Sequence, residues 1–163
     1  MGQVVSQGEL ILRRGGWKRN GRGVVCASGS FDLLHPGHIR LLEQARSLGD
    51  SLTVAVRSDA GVRELWGVSG QPDRPVTPLG ERMEIVAALA AVDFVVPFEG
   101  ASPRDFLLQF APEVFVEGGT GAHRESGVRP GELEALGCRI VRVPLEPGYS
   151  TEQLIQRIAN HPA

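Results

Sequence analysis

Lysine is nearly missing from this chain: Lys18 is the single lysine among 17 basic residues, and all the others are arginines. The 19 acidic residues give a formal net charge of −2, so no global positive field points to nucleic acid or to an anionic membrane. No apolar run is long enough to span a bilayer, and the first ten residues lack the layout of a signal peptide. These absences predict a cytoplasmic protein with neither a nucleic-acid nor a membrane partner.

Cysteine is also scarce, with Cys26 and Cys138 as the two examples. Each lies in an apolar stretch that predicts a strand, which favours buried, reduced thiols over a disulfide. No Cys/His cluster has the spacing of metal ligands. The sequence therefore predicts no metal site built by the protein itself.

From residue 23 onward, apolar strands alternate with amphipathic helices. This alternation predicts an α/β fold: a Rossmann-like, five-stranded parallel sheet with helices on both faces, forming a single domain over residues 23–163. Residues 1–22 are expected to be an irregular leader that could contain a short helix. The predicted strands are 23–29, 51–58, 93–98, 113–119 and 138–144, and the predicted helices are 36–48, 79–91, 103–110, 130–136 and 151–159.

Two of the 4 histidines, His35 and His38, flank a Pro-Gly pair directly after the first predicted strand. Ligands of such folds bind beyond the carboxyl ends of the strands, where the strand order reverses. Pro36 suits the first turn of a helix, residues three apart face the same side, and Gly37 would let a ligand approach the backbone. With the unpaired amides of a helix start, these residues predict a phosphate site. The alternative is a pair of ordinary surface or capping histidines.

The segment GSFDLLHPGH, residues 29–38, resembles the His-x-Gly-His signature of the cytidylyltransferase superfamily of nucleotidyltransferases. The resemblance runs from about Val24 to Ile158. Residues 74–99 and 143–158 are long segments similar to the adenylyltransferases that make ADP-heptose for lipopolysaccharide. Glycerol-3-phosphate cytidylyltransferases share only the shorter motifs.

The resemblance implies transfer of a nucleoside monophosphate, AMP from ATP, to a phosphorylated sugar such as D-glycero-β-D-manno-heptose 1-phosphate, with release of pyrophosphate. The transfer would be a direct in-line attack without a covalent enzyme intermediate, and Mg²⁺ would arrive with the nucleotide. One alternative is a cytidylyltransferase that uses CTP and a small alcohol phosphate such as glycerol 3-phosphate. The other is a catalytically weak relative that binds nucleotide. Family members also commonly form homo-oligomers.

The resemblance assigns roles to particular residues, several of which have a plainer explanation. Arg82 could be a solvated helix arginine, Ser150 and Thr151 open a helix as N-cap residues do, and Asp59 could cap a loop. Asp32 would orient its loop or help to hold the magnesium–nucleotide complex. The implied catalytic residues are His35, His38 and Arg82; the nucleotide-binding residues are Ser30, Phe31, Asp32, Gly37, His38, Gly118, Gly119, Ser150 and Thr151; and the acceptor-binding residues are Asp59 and Arg74.

Three segments depart from the heptose pattern. Where the family has Lys-Gly-Gly-Asp, this chain has Glu117 at the lysine position and continues with Gly118, Gly119 and Thr120. A second family lysine is replaced by Trp66, followed by an apparent insertion at 68–73, and Thr-Asn-Gly-Cys is replaced by residues 27–30, Ala-Ser-Gly-Ser. Either the acceptor differs, with Trp66 stacking where a lysine would pair, or the activity is weak.

Overall fold

The computed structural model describes residues 1–67, 73–118, 127–129, 131–144 and 146–161. Six parallel strands form one sheet in the order β1-β4-β3-β2-β5-β6. The strands are β1 Gln3–Val4, β2 Val24–Gly29, β3 Ser51–Arg57, β4 Phe94–Phe98, β5 Val114–Gly118 and β6 Arg139–Val143, and the helices are α1 Gln7–Arg19, α2 Pro36–Arg46, α3 Asp59–Gly67, α4 Leu79–Ala87, α5 Arg104–Phe110 and α6 Thr151–Ala159.

Both faces of the sheet are covered, which confirms the predicted α/β, Rossmann-like class. Along β2, Val24 and Cys26 belong to a core shared with α1 and α5, while Val25 and Ala27 belong to a core shared with α2 and α4. All of β3 is buried. Because alternate residues of a strand face opposite sides, such near-continuous apolar strands are typical of a parallel sheet covered on both faces.

The sixth strand comes from the segment that was expected to be an irregular leader, so that expectation is wrong. β1 pairs with β4 at the sheet edge, and α1 buries Leu10 completely. Trp17 packs on Phe94 with ring centroids 5.1 Å apart, and the buried Arg14 donates from Nη2 to the carbonyl of Ala111 at 2.8 Å. A two-residue strand is too short to leave a sequence period, so only tertiary pairing reveals it.

Two helical predictions also differ from the structure. The helix expected at 130–136 is reduced to a 3₁₀ turn over Glu134–Leu136, and residue 130 itself lies outside the described residues. Conversely, α3 occupies residues to which no helix was assigned. Gly61 allows this helix to pack closely, because a Cβ at this position would lie 2.3 Å from the carbonyl oxygen of Gly100.

The thiols behave as predicted, since Cys26 and Cys138 are both free and buried. Burial raises the pKa of both thiols, that of Cys138 to about 11, so neither is a thiolate at neutral pH. Within the described ranges, no helix has the length and apolarity needed to cross a membrane, and no group of three or more His, Cys, Asp or Glu side chains could hold a metal ion.

The strand order locates the ligand crevice. From β2 the chain steps outward to β3 and β4, then returns to the other side of β2 to form β5 and β6. The order therefore reverses between β2 and β5. In open α/β sheets ligands bind outside the carboxyl ends of the strands at this point, which here means the strand ends at Gly29 and Gly118.

Candidate functional site

A cavity of about 330 Å³ lies at this reversal point. Its lining comes from the ends of β2, β5 and β6, the start of α2, the start of α6, and two side chains from the region after β3. Ten predicted site residues line it: Ser30, Phe31, Asp32, His35, Gly37, His38, Arg74, Gly118, Ser150 and Thr151.

The histidine pair lies at the beginning of α2. His35 is the N-cap residue, with extended backbone angles, and Pro36 is the first helical residue. The backbone N–H of His38 donates to the carbonyl of His35 at 2.9 Å. Their rings stack, with centroids 3.8 Å apart and planes 23° apart. The predicted common orientation is therefore confirmed, and both rings line the cavity.

Burial disfavours the charged form of both imidazoles. The pKa of His38 is lowered to about 4, first by burial and then by its neighbour His35. Burial is also the main cause of the lowered pKa of His35. Neither Nδ1 atom has a hydrogen-bond partner among the described residues. A buried polar atom without a partner costs about 1–3 kcal/mol, which is consistent with a pair prepared for a ligand.

Tyr149 extends the stack beyond His35. Its ring is stacked with that of His35, with centroids 6.4 Å and planes 19° apart. The Arg40 guanidinium lies 5.4 Å from the centroid of the Tyr149 ring and forms an ion pair with Glu146. Gly37 makes room here, since a Cβ on it would lie 3.0 Å from His35 Nδ1 and 3.2 Å from Tyr149 Cβ.

Phe31 closes the stack at its inner end. Its ring is 5.3 Å from that of His38 and is buried. The backbone of Phe31 has φ 48°, in the left-handed region that non-glycine residues rarely adopt. Gly29 must lack a side chain, because a Cβ there would lie 3.0 Å from the Phe31 ring. We call Phe31, His38, His35 and Tyr149 the histidine wall.

Asp32 holds a second group of residues together. Its carboxylate is fully buried and accepts from Arg74 Nε at 2.6 Å and from the backbone N–H of Thr77 at 2.9 Å. The Arg74 guanidinium lies 5.1 Å from the Trp66 ring centroid. Trp66 and Arg74 both line the cavity. We call Asp32, Arg74 and Trp66 the tryptophan wall.

The structure supports the loop-orienting role expected for Asp32. Each of its two oxygens already accepts a hydrogen bond from the protein, and in the described part of the chain no acidic cluster of three or more groups surrounds it. The magnesium ion expected to arrive with the nucleotide stays a prediction.

Arg82 and Asp59 lie behind the site, outside the cavity lining. The Arg82 side chain is fully buried. It donates to the carbonyls of Thr77, Ser30 and Arg57 at 2.8, 2.6 and 2.8 Å, and to Asp59 at 2.6 Å. It therefore connects the turn after β2, the end of β3, the start of α3 and the loop before α4. Its predicted contact with phosphate remains a prediction.

The start of α6 completes the opposite side. Ser150 is its N-cap residue, and the Ser150 hydroxyl accepts from the backbone N–H of Gln153 at 3.1 Å. Thr151 is the first helical residue, and both line the cavity. At the end of β5, a Cβ on Gly118 would lie 2.9 Å from Leu41 Cδ2, the end of a flexible side chain. The bare backbone expected at Gly118 stays a prediction, and Gly119 and Thr120 lie outside the described residues.

Glu117, at a position where a lysine was expected, faces a cation. Its neighbour across the β5–β6 ladder is Arg142, whose Nε lies 3.3 Å from the Glu117 carboxylate. Glu117 does not line the cavity. In place of the expected lysine, Glu117 therefore forms a cross-strand ion pair with Arg142.

Sequence reasoning missed Tyr149, Arg40 and Glu146. Arg40 comes from α2, and Glu146 and Tyr149 come from the loop before α6. Arg40 and Glu146 form a pair although more than a hundred residues separate them in the chain. A signal was available for Tyr149 alone, because it directly precedes the predicted Ser-Thr helix start.

Residues 26–125 match the family model described as cytidylyltransferase-like. The chain belongs to the cytidylyltransferase-like family. The match covers β2 from Cys26 onward, the histidine pair and the tryptophan wall, and it confirms the resemblance drawn from the HPGH segment. It also confirms the prediction of a nucleotidyltransferase enzyme.

Curated relatives named bifunctional protein HldE are similar over most of this chain. The protein of Koribacter versatilis is 44% identical over 95% of this chain and 31% of its own length. The protein of Methylococcus capsulatus is 43% identical over 88% of this chain and 29% of its own length. The protein of Coxiella burnetii is 35% identical over 96% of this chain and 32% of its own length. The chain thus spans about a third of the length of these relatives.

Two solved structures share the fold. A lipopolysaccharide core biosynthesis protein from Thermoplasma volcanium aligns with a TM-score of 0.59 at 24% identity, covering 77% of this chain and 98% of its own. A pantoate–β-alanine ligase from Francisella tularensis aligns with a TM-score of 0.62 at 14% identity, covering 90% of this chain and 69% of its own. At these identities the likeness supports the architecture alone.

Proposed function

We propose that this chain transfers AMP from ATP to a phosphorylated sugar, such as D-glycero-β-D-manno-heptose 1-phosphate, and releases pyrophosphate. The observation that carries the proposal is the stacked, buried His35–His38 pair at the start of α2, inside the cavity at the reversal of strand order. The choice of nucleotide and sugar rests on the resemblance of residues 74–99 and 143–158 to the adenylyltransferases that make ADP-heptose.

The triphosphate would lie between the two helix starts. The first turns of α2 and α6 each present backbone N–H groups and a positive dipole end, and both helix starts line the cavity. Neutral imidazoles can donate hydrogen bonds to phosphate oxygens without the repulsion that two charged rings 3.8 Å apart would suffer. The turn at Ser30 and Phe31 would lie against the α-phosphate.

The chemistry needs positioning more than a reactive side chain. An oxygen of the sugar phosphate attacks the α-phosphorus, the bond from that phosphorus to the bridging oxygen breaks, and pyrophosphate leaves in line. His35 and His38 would stabilise the charge that develops on the phosphate oxygens, a contribution of about 3–4 kcal/mol for one well-placed donor. Mg²⁺ bound to the nucleotide would neutralise part of the triphosphate charge, and Asp32 would keep the adjoining loop in place.

Pyrophosphate release tests the proposal. Purified protein with Mg²⁺ would be assayed with ATP or CTP, each combined with heptose 1-phosphate or glycerol 3-phosphate. We expect release only when ATP and heptose 1-phosphate are both present. Release from ATP without any acceptor would contradict direct transfer.

The other two candidate functions predict different results in the same assay. A cytidylyltransferase, which the family name supports, would release pyrophosphate from CTP and glycerol 3-phosphate. A catalytically weak relative would bind nucleotide in calorimetry but give no release in any mixture. Either result would replace the proposed reaction.

A further inference from the structure

Trp66 occupies a position where a lysine was expected, and the structure shows what the indole contacts. The Arg74 guanidinium lies 5.1 Å from the Trp66 ring centroid. On its other side, Arg74 donates from Nε to the buried carboxylate of Asp32 at 2.6 Å. The Arg74 side chain is only 6% exposed. Its orientation in the cavity is thus fixed by an ion pair and a ring face together.

The location of this contact separates it from the histidine wall. α3 carries Trp66 beyond the end of β3, whereas His35 and Tyr149 lie beyond β2 and β6. If the triphosphate occupies the two helix starts, as the proposed function requires, the part of the cavity beside β3 is left for the acceptor. Among the described residues, the cavity lining contains two cations, Arg40 near Tyr149 and Arg74 beside Trp66.

We propose that Trp66 is a positioning residue of the acceptor site: its ring holds the Arg74 guanidinium in the orientation that binds the phosphate of the acceptor. This proposal rests on the proposed function. The ring face performs this task, since Trp66 Nε1 is buried and has no hydrogen-bond partner among the described residues. A cation held against an aromatic face is stabilised by the ring, and a guanidinium binds phosphate with two parallel donors only when its plane is correctly set.

Substitutions at Trp66 test the role of the ring. In Trp66→Leu we expect the acceptor KM to rise about 10-fold while the nucleotide KM stays within about twofold, because a cation–π contact controls a change of that order. Trp66→Phe should keep the acceptor KM within about threefold of the parent. Unchanged nucleotide affinity and melting temperature serve as the control for folding.

Trp66→Lys distinguishes two possibilities. Either the Trp66 ring positions Arg74, or Trp66 merely stands where the expected lysine would bind the acceptor better. A lysine would place a like charge beside Arg74 and remove the ring, so we expect an acceptor KM at least as high as in Trp66→Leu. A lower acceptor KM than in the parent would overturn the proposal. So would a Trp66→Phe variant as impaired as Trp66→Leu, because the indole N–H would then be the essential group.

A double-mutant comparison tests the dependence on Arg74. If Trp66 acts through Arg74, the double variant Trp66→Leu/Arg74→Gln should bind the acceptor no worse than Arg74→Gln alone. Losses that multiply would show independent roles and overturn the proposal.

A binding measurement keeps this inference separate from the proposed reaction. The chain has 2 tryptophans, and the other, Trp17, packs on Phe94 in the core shared with α1. In a Trp17→Phe variant, Trp66 is the only indole. We expect its fluorescence to change on titration with heptose 1-phosphate in the presence of a non-hydrolysable ATP analogue, and to change little with the analogue alone. A response to the analogue alone would place Trp66 in the nucleotide site and overturn the proposal, whether or not the protein turns over.

Discussion

The two walls of the cavity differ in how the chain builds them. The histidine wall takes Phe31, His35 and His38 from one turn and helix start, and a single remote residue, Tyr149, completes it. The tryptophan wall joins three residues from three different segments. Asp32 follows β2, Trp66 lies in α3, and Arg74 lies in the loop before α4. The first wall depends mostly on local sequence, and the second depends on tertiary contacts.

The comparison teaches where variation in this family can be accommodated. The histidine wall keeps the motif that the resemblance requires, and the reaction proposed for it concerns the nucleotide. The tryptophan wall holds a residue that departs from the family pattern, and the task proposed for it concerns the acceptor. One wall would therefore define the reaction, and the other would select the molecule that receives the nucleotide.

The largest effect is expected at the histidine wall. His35→Ala and His38→Ala should each lower acceptor-dependent pyrophosphate release about 100-fold or more, since removing one well-placed donor to a developing charge has effects of this size. His161→Ala is the matched control, because His161 is exposed at the end of the chain. Variants of His35 and His38 with parental turnover would refute the functional division between the walls.

A loss of stability is expected when Arg82, which lies outside the cavity lining, is replaced. Arg82→Ala removes four hydrogen bonds and leaves Asp59 without its partner, so the free energy of unfolding should fall by about 3–5 kcal/mol. Denaturant unfolding would measure the change, with the exposed Arg63→Ala as control. A variant that is as stable as the parent but has lost affinity for nucleotide would instead support a direct phosphate contact by Arg82.

A smaller effect is expected at the remote member of the histidine wall. Tyr149→Ala removes the ring stacked with His35, and a ring pair contributes about 0.5–1.5 kcal/mol. We expect turnover to fall about fivefold, with recovery in Tyr149→Phe, which keeps the ring. If Tyr149→Phe were as slow as Tyr149→Ala, the hydroxyl would be the functional group and the stacking role would be wrong.

The smallest effect is a coupling between nucleotide binding and protonation. In the free protein the pKa of His38 is lowered to about 4, so the ring is neutral near pH 7. A bound triphosphate favours the charged form and raises that pKa. Binding should therefore take up protons and strengthen as pH falls from neutrality towards about 4, the pKa of His38 in the free protein. Calorimetry in buffers of different ionisation enthalpy measures the proton uptake. No proton uptake, or proton release, would contradict a contact between His38 and the triphosphate.

The same contrast explains what could be predicted from sequence. The alternating pattern predicted five of the six strands, β2 to β6, and the parallel sheet, and the Pro-Gly between the histidines predicted their common orientation, because each signal is local. The edge strand β1 and the stacking of Tyr149 on His35 arise from contacts between distant segments. The burial of Arg82 among three backbone carbonyls could not be predicted either, because its sequence neighbourhood reads as an ordinary helix.

Phosphorus NMR of the α-phosphorus of ATP tests the central claim most directly. With Mg²⁺, heptose 1-phosphate and the protein, the account predicts that this phosphorus appears in a sugar-linked diphosphate, in amounts equal to the pyrophosphate released, while the protein mass stays unchanged. Nucleotide attached to the protein, or an ATP spectrum that stays unchanged although the nucleotide binds, would contradict it.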